Sequence, residues 1–167
     1  MHQTGGDYLT KFKASLYGQG GQANSTLWGL RGGVKFGAND LALSYNKLED
    51  QKNSFGGGAL VSPYGDYTAM YAAVMTANLI QYGPGDATQL AYTRSLFDKH
   101  VALKVAVLKF NTTNSGNSNT VYIDATYHFD GKLKGLSVRD RLARDNGAKI
   151  NGGQTFVYNR LMLQYNF

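Results

Sequence analysis

Apolar and polar residues alternate with a period of two through much of this 167-residue chain. The clearest case is the stretch TVYIDATYHF, in which Val121, Ile123 and Tyr127 alternate with Tyr122 and Asp124. Such alternation is typical of a β-strand with one apolar face. The pattern predicts about eight strands. They cover residues 8–19, 26–37, 41–48, 87–97, 101–111, 120–129, 135–145 and 156–167.

The connections between the predicted strands alternate in length. Those after strands one, three, five and seven are long, polar and glycine-rich, whereas those after strands two, four and six are GAND, DKH and DGKLKG. All the long connections would then lie at one end of the sheet, as in outer-membrane barrels with long external loops and short periplasmic turns. The longest connection, residues 49–85, is expected to be an external loop. Within it, residues 71–80 fit either a short helix or a short strand.

The last stretch, FVYNRLMLQYNF, ends on the aromatic residue Phe167. About ten alternating residues with an aromatic belt are the unit of transmembrane β-barrels. By itself, this stretch fits an edge strand of a soluble sandwich or a lipocalin-like barrel equally well. Aromatic residues beside the short turns and the carboxy terminus favour the membrane barrel, because they would form an interfacial girdle at one rim. They are Phe36, Phe97, Tyr127, Phe129, Tyr165 and Phe167.

The composition agrees with this fold class. The chain has 21 Gly, 12 Tyr and 8 Phe against only 2 Pro, which favours β-structure with many turns. The absence of cysteine excludes disulfides, thiolate metal sites and cysteine nucleophiles. No apolar run approaches the roughly 18 residues of a membrane helix, but a barrel wall needs apolar residues only at alternate positions. No secretory leader precedes Gly5, which is compatible with a processed chain, a cytoplasmic chain or a fragment.

We therefore predict one all-β domain over residues 1–167, a transmembrane antiparallel up-and-down β-barrel of about eight strands in a bacterial outer membrane. Residues 1–7 would be a disordered or periplasmic start.

Four segments resemble the OprD-type outer-membrane porins, which are monomeric substrate-selective channels of Gram-negative bacteria. They are SPYGDYTAMY, NLIQYGPGD, YHFDGKLKGLSVRDRLARD and TFVYNRLMLQYNF. The resemblance covers most of residues 40–167 and is most specific in a strand ending Phe-Asp, a Leu-x-Gly-Leu turn and a strand with alternating arginines. It implies a channel of about eighteen strands with an arginine ladder that guides carboxylates. This chain has room for less than half of those strands, so it looks like a fragment, a designed miniature or a naturally reduced relative.

The parity of the apolar rows predicts that six cations project to the polar face. They are Arg31, Lys35, Arg94, Arg139, Arg141 and Arg160. A row of guanidinium groups can pass a carboxylate from one bidentate partner to the next. Arg139 and Arg141 match the ladder implied by the resemblance best, with Arg160 on the neighbouring strand. The alternative is that these arginines pair with acids such as Asp124 and fill the interior. For eight strands alone, this structural role has the greater weight.

By resemblance, the expected function is porin-like passive diffusion of small anionic or carboxylate solutes. The alternatives are a non-conducting structural or engineered barrel and a soluble ligand-binding barrel. Expected partners are outer-membrane lipid or detergent, the solute, and barrel-assembly machinery that binds the strand ending at Phe167. Asp140 shares the parity of the lipid-facing residues, which favours either a position near the external interface or a contact in a homo-oligomer.

Other chemistry has little support in the sequence. His2, His100 and His128 are too scattered for a metal site, and no Ser-His-Asp set can be assembled. The glycine clusters do not lie between a strand and a helix, as a phosphate cradle requires. The formal charge of +6 is spread over strands and turns, which disfavours a nucleic-acid partner. We therefore expect no enzyme activity, no catalytic residue, no metal and no cofactor.

Overall fold

The computed structural model describes residues 2–4, 23–52, 54–60 and 70–166. The predicted strand at 8–19 and the terminal Phe167 lie outside the described residues, as does most of the predicted start at 1–7. None of the helices in the described part combines the length and the apolar character that a membrane span requires.

The described chain folds as one antiparallel sheet. Its strands are β1 His2–Thr4, β2 Asn24–Phe36, β3 Asn39–Leu48, β4 Gly85–Leu96, β5 Val101–Thr112, β6 Gly116–His128, β7 Leu136–Asn146 and β8 Phe156–Tyr165. The seven long strands, β2 to β8, follow one another in chain order, and each pairs antiparallel with its sequence neighbours. The short β1 pairs with residues 24–26 at the start of β2. The all-β prediction is confirmed, and seven of the predicted strands coincide with β2 to β8.

The sheet is open in the part of the chain that the structure describes. No ladder there joins β8 to β1 or β2, so the sheet has two free edges. The predicted transmembrane barrel and its count of about eight strands are therefore not confirmed. The remaining predicted strand, at 8–19, lies outside the residues that the structure describes.

The connections define two ends of the sheet. At the turn end, residues 37–38, 97–100 and 129–135 join successive strands. At the loop end, residues 49–84 join β3 to β4 and residues 147–155 join β7 to β8. The 49–84 connection contains the 3-10 helix Phe55–Gly57 and one helical turn, α1, Leu79–Tyr82. Of residues 71–80, for which the sequence leaves a short helix and a short strand open, 79–80 begin α1, and Val74 and Ala77 form an isolated antiparallel bridge.

The long polar loop predicted after the fifth strand is wrong. Residues 113–115 alone join β5 to β6, because the polar residues of GNSN extend β6 and pair with the end of β5. The Oγ1 atom of Thr112 accepts a hydrogen bond from the Ser115 amide at 3.2 Å. Gly116 has a φ of +72°, a backbone conformation that glycine adopts without steric cost. Cross-strand pairing therefore outweighs the loop-like composition of this stretch.

One face of the sheet, here called the covered face, lies beneath the 49–84 connection. Leu48, Phe110 and Leu108 on this face are at most 3% exposed. They pack with Leu79 and Tyr82 from the connection in a single hydrophobic cluster. This cluster occupies the part of the covered face nearest the loop end.

The opposite face, here called the exposed face, is apolar in its central rows. Its cross-strand rows place apolar side chains next to one another over many strands. One such row contains Val34, Leu41, Tyr92, Val105, Ile123 and Leu142, on β2 to β7 in that order. Leu43, Leu90, Val107 and Val121, which lie on inner strands, remain 45% to 58% exposed. No described part of the chain covers this face.

Aromatic side chains gather at the turn end, as the sequence indicates. Phe36, Phe97, Tyr127 and Tyr165 are 45% to 75% exposed. The rings of Tyr127 and Phe129 meet edge to face, with their centroids 4.8 Å apart. The turn end therefore has an exposed aromatic rim in its described part.

Candidate functional site

A single row of mostly charged residues crosses the covered face from strand to strand. Directly opposed residues on neighbouring strands have Cβ atoms about 4.5 to 5.5 Å apart, so each member of the row lies beside the next. This charged row consists of Lys35, Asp40, Thr93, Lys104, Asp124, Arg141 and Arg160, on β2 to β8 in that order. Three of the predicted site cations, Lys35, Arg141 and Arg160, belong to it.

Asp124 is the centre of the ionic contacts in this row. Arg139 binds its carboxylate in bidentate fashion, with Nε 2.7 Å from Oδ1 and Nη2 2.5 Å from Oδ2. The Tyr122 hydroxyl donates to Oδ2 at 3.0 Å, and Nε of Arg141 lies 3.6 Å from the same oxygen. The side chain of Asp124 is only 10% exposed. Because charge-assisted bidentate contacts are the strongest of their kind, this pair fixes the orientation of Arg139.

Arg141 has donor groups that Asp124 does not satisfy. Its Nη1 donates to the Met75 sulfur at 3.4 Å, which is a weak acceptor. Its Nε is buried without a hydrogen-bond partner among the described residues. Opposite Arg141, across the β7–β8 ladder, lies another cation, Arg160. This side of the charged row therefore has positive charge and hydrogen-bond donors available to an anion.

A cavity of about 380 Å³ lies between the charged row and the 49–84 connection. The connection contributes Met70, Ala73, Val74 and Met75 to its wall, and the sheet contributes Lys104, Tyr122, Asp124, Arg139 and Arg141. Three cations and one carboxylate line the space, which leaves two positive charges in excess. The cavity can thus accommodate a small anion, with an apolar wall on the side of the connection.

Polar contacts hold residues 71–73 of the connection on the sheet. The Oδ1 atom of the buried Asn46 accepts hydrogen bonds from the amides of Tyr71 at 2.8 Å and Ala72 at 2.7 Å. Gln89 donates its side-chain amide to the Ala73 carbonyl at 3.1 Å. Asn46 and Gln89 lie on adjacent strands, so two strands together position the connection above the cavity.

The helical turn α1 closes the loop end of the covered face. Asn78 caps it by accepting a hydrogen bond from the Gln81 amide at 3.0 Å. The Tyr82 ring packs edge to face on Phe110, with centroids 4.8 Å apart. Burial, together with the charge of Asp145, raises the pKa of the Tyr82 phenol above its usual value.

Two further predicted residues, Arg31 and Lys35, lie on the covered face at the β2 edge. With Asp40 and Tyr71 they line a second cavity of about 650 Å³. Lys35 Nζ is 3.8 Å from Asp40 Oδ2, and its side chain is 82% exposed. This ion pair is therefore solvated, unlike the contact between Arg139 and Asp124.

Arg94 does not join the other predicted site residues. The β4 register places it opposite Leu103, and it alternates with Leu90, Tyr92 and Leu96 on the exposed face. The expectation that Arg94 projects to the polar face is wrong, because side chains two residues apart on a strand lie on the same face. The structure thus brings together Arg139 and Arg141, places Arg160 opposite Arg141, and leaves Arg31 and Lys35 at the β2 edge.

Sequence reasoning missed Lys104 and Met75 as site residues. Lys104 has the opposite parity to Val101 and Leu103, so it lies on the other face of β5. On that face its neighbours are Ala102 and Ala106, and these small apolar residues conceal it in the sequence. The signal was nonetheless present, since Lys104 is the one charged residue on that face of β5 within the described chain. Met75 has no comparable signal, because its position depends on how the connection folds.

Comparison with protein-family models, with curated proteins and with solved structures finds no match for this chain. The resemblance to OprD-type porins therefore rests on the sequence segments quoted above. Within the described residues, no group of three or more His, Cys, Asp or Glu side chains is arranged to hold a metal ion.

Proposed function

We propose that this sheet forms part of the wall of a transmembrane β-barrel in a bacterial outer membrane, and that its covered face guides small anionic or carboxylate solutes by passive diffusion. The observation that supports the proposal best is that the apolar face of the sheet is exposed, whereas the face that carries the charged row is covered. Central apolar side chains such as Leu43 and Val107 are about half exposed, whereas Asp124 and Arg141 lie on the covered face. Outward apolar residues and inward polar residues are the pattern of membrane barrels.

A soluble ligand-binding barrel is the less favourable interpretation. A soluble fold buries its apolar face, and contiguous exposed apolar patches are rare on soluble monomers. Here the row from Val34 to Leu142 runs without a charged member across six strands. Lipid chains would cover that row, and the exposed aromatic rim at the turn end suits the membrane interface.

The preference for anions is supported by the charges around the cavity. The cavity wall carries three cations, Lys104, Arg139 and Arg141, against the single carboxylate of Asp124, and Nε of Arg141 forms no hydrogen bond with any described residue. A carboxylate can form bidentate contacts with a guanidinium, and neighbouring cations allow it to move on without being trapped. The solute class itself follows from the resemblance to the OprD-type porins, and this cavity is the place where we expect contact.

A second candidate, the non-conducting scaffold, is supported by the packing of the covered face. The 49–84 connection fills the loop end with the cluster around Phe110 and Tyr82. Asp124 already neutralises Arg139. If the closed barrel has only about eight strands, its interior is just wide enough for such side chains.

The membrane part of the proposal is tested by purification with and without detergent. We expect the protein to fold only in detergent or lipid, and unboiled samples to migrate differently from boiled ones on a denaturing gel. A folded, monodisperse β-protein in plain buffer would rule this part out.

The solute part is tested by saturation-transfer NMR in detergent, with butyrate as the carboxylate and butyramide as its neutral analogue. We expect transfer to butyrate but not to butyramide, and loss of that transfer in the double variant Arg139→Gln, Arg141→Gln. The matched control is Arg94→Gln, Arg144→Gln, which removes two arginines from the exposed face. Absence of transfer in a folded wild-type protein would favour the scaffold.

A further inference from the structure

Two cations stand on the exposed face at the loop end, in surroundings that a solute-guiding role does not explain. Lys109 lies on β5 and Arg144 on β7, and both side chains are exposed. Each alternates with buried covered-face residues, Leu108 and Phe110 beside Lys109 and Ala143 and Asp145 beside Arg144. Their side chains therefore point away from the charged row.

The two cations lie on either side of one strand, β6. Lys109 is opposite Asn119, and Arg144 is opposite Val121, two residues further along β6. Neighbouring strands are about 4.8 Å apart, so the β5 and β7 backbones are separated by about 10 Å. Two long flexible side chains can converge over β6 across such a distance, on a single multiply charged group.

No carboxylate on the described exposed face compensates these cations. Asp86 is occupied by the Tyr45 hydroxyl and by Lys47, whose Nζ lies 3.1 Å from Oδ1. Asp140 is further towards the turn end and accepts a hydrogen bond from Asn159 at 2.9 Å. Neither Lys109 nor Arg144 forms an ion pair with any residue that the structure describes. Their charge is therefore available to an external anion.

The residues around Lys109 and Arg144 change from apolar to polar along the strands. Towards the turn end, Val107, Val121 and Leu142 continue the apolar exposed face. Towards the loop end, the exposed-face positions of β5 and β6 are Asn111, Asn117 and Asn119. The cations thus stand at the border between an apolar surface and a polar one. A ligand that matches this border has an anionic head and an apolar tail.

We propose that Lys109 and Arg144 form a binding site for the phosphate of an anionic lipid headgroup, with the acyl chains on Val107, Val121 and Leu142. Arg144 would contact two phosphate oxygens in fork geometry, and Lys109 would contribute a point charge. The inference rests on the proposed membrane location, because only a bilayer brings an acyl chain and a phosphate to this border together.

The test is native mass spectrometry of the detergent-purified protein with added phosphatidylglycerol or phosphatidylcholine of matched acyl chains. A cation near a membrane surface strengthens binding of anionic lipid about fivefold, so two give a preference of about thirtyfold for phosphatidylglycerol. We expect the double variant Lys109→Gln, Arg144→Gln to bind both lipids equally. The control Lys35→Gln, Arg31→Gln removes the same two residue types from the covered face and should keep the preference.

Each other outcome overturns a defined part of the inference. Equal binding of the two lipids by the wild-type protein, or a preference that survives in the Lys109 and Arg144 variant, would refute the site. Displacement of phosphatidylglycerol by inorganic phosphate at an equal concentration would show that the acyl chains contribute little to binding, and would refute the lipid as ligand. Failure of the membrane proposal looks different, because the protein would then fold without detergent and retain neither lipid.

Discussion

The ion pairs of the covered face differ in burial, and this difference sets their energetic value. Asp124 is 10% exposed at its side chain and receives two hydrogen bonds from Arg139. Lys35 meets Asp40 at 3.8 Å with a side chain that is 82% exposed. Exposed ion pairs contribute about 0 to 1 kcal/mol, because solvent screens them and ordering the side chains costs entropy. The two contacts therefore offer a matched comparison within one sheet.

We predict that Arg139→Gln lowers the free energy of unfolding by roughly 1.5 to 3 kcal/mol, the usual contribution of hydrogen bonds to charged groups. Lys35→Gln should change it by at most about 0.5 kcal/mol. Urea titrations in detergent, followed by tryptophan fluorescence, measure both values. Equal effects of the two substitutions would contradict the assignment of Asp124 as the better-shielded anion.

The proposed membrane orientation of the two faces gives a second prediction at the scale of the residue. Substituting Ile123 or Val105 by Arg should cost roughly 2 to 4 kcal/mol if those side chains face the bilayer midplane. Thr126→Arg should be milder, because Thr126 lies on the covered face opposite Ala102 and Arg139. Folding yields in vesicles of phosphatidylcholine with urea titration provide the measurement. Penalties of the same size at all three positions would show that Ile123 and Val105 do not face lipid.

Residue positions were predictable from the sequence where the apolar row was clear. Arg139 and Arg141 alternate with Val138 and Leu142, and their face follows directly from the pleat. The sequence pattern assigns Arg94 to the wrong face, although Leu90 and Tyr92 share its parity. The reason is that Ala91, on the other face of β4, makes both faces of this strand look apolar. Parity assigns residues to two faces, but contacts such as Arg141 with Met75 depend on the fold of a distant connection.

At the scale of the element, the 49–84 connection is the feature that alternation cannot predict. It has no period, and its described part is held by a few polar contacts and one apolar cluster. The strands, by contrast, follow from alternation, with end points shifted by a few residues. The largest shift is the start of β6, where Asn117 and Asn119 pair with β5 residues although their composition is typical of a loop.

Asn46 is expected to control how firmly this connection stays on the sheet. We predict that Asn46→Ala speeds hydrogen exchange at the Tyr71 and Ala72 amides by roughly ten- to hundredfold, because two amides lose their acceptor. Exchange measured by mass spectrometry on peptides that span residues 70–78 checks this. Asn111→Ala, on the exposed face of β5, serves as the control. Unchanged protection in Asn46→Ala would mean that the apolar cluster and the Gln89 contact hold the connection without Asn46.

At the scale of the whole molecule, strand direction limits how the sheet can close. In an antiparallel meander, the first and last of seven strands run in the same direction, so β2 and β8 could meet only as a parallel pair. Closure with antiparallel pairing throughout therefore requires an odd number of further strands between them. One further long strand would give eight long strands, with the short β1 already paired along the start of β2, whereas a porin-sized barrel would require several more.

This constraint leads to a prediction for the isolated 167-residue protein. About eight strands leave an interior only wide enough for side chains, whereas sixteen to eighteen leave an aqueous passage. The covered face already holds Tyr122, Arg139, Arg141 and Tyr158 beside the 49–84 connection. Reconstituted as a monomer in planar bilayers, the protein is therefore expected to give no steady porin-sized conductance. Light scattering of the detergent-solubilised sample establishes the monomer independently.

If an assembly of this chain does conduct, the excess of cations around the cavity makes anion selectivity the expected result, measured as the reversal potential in a salt gradient. Arg139→Gln, Arg141→Gln should then shift that potential towards zero, while the exposed-face variant Arg94→Gln, Arg144→Gln should not. Large cation-selective steps from a proven monomer would contradict both the narrow interior and the role of the arginines, because neither a filled eight-strand barrel nor a positively charged wall passes cations freely.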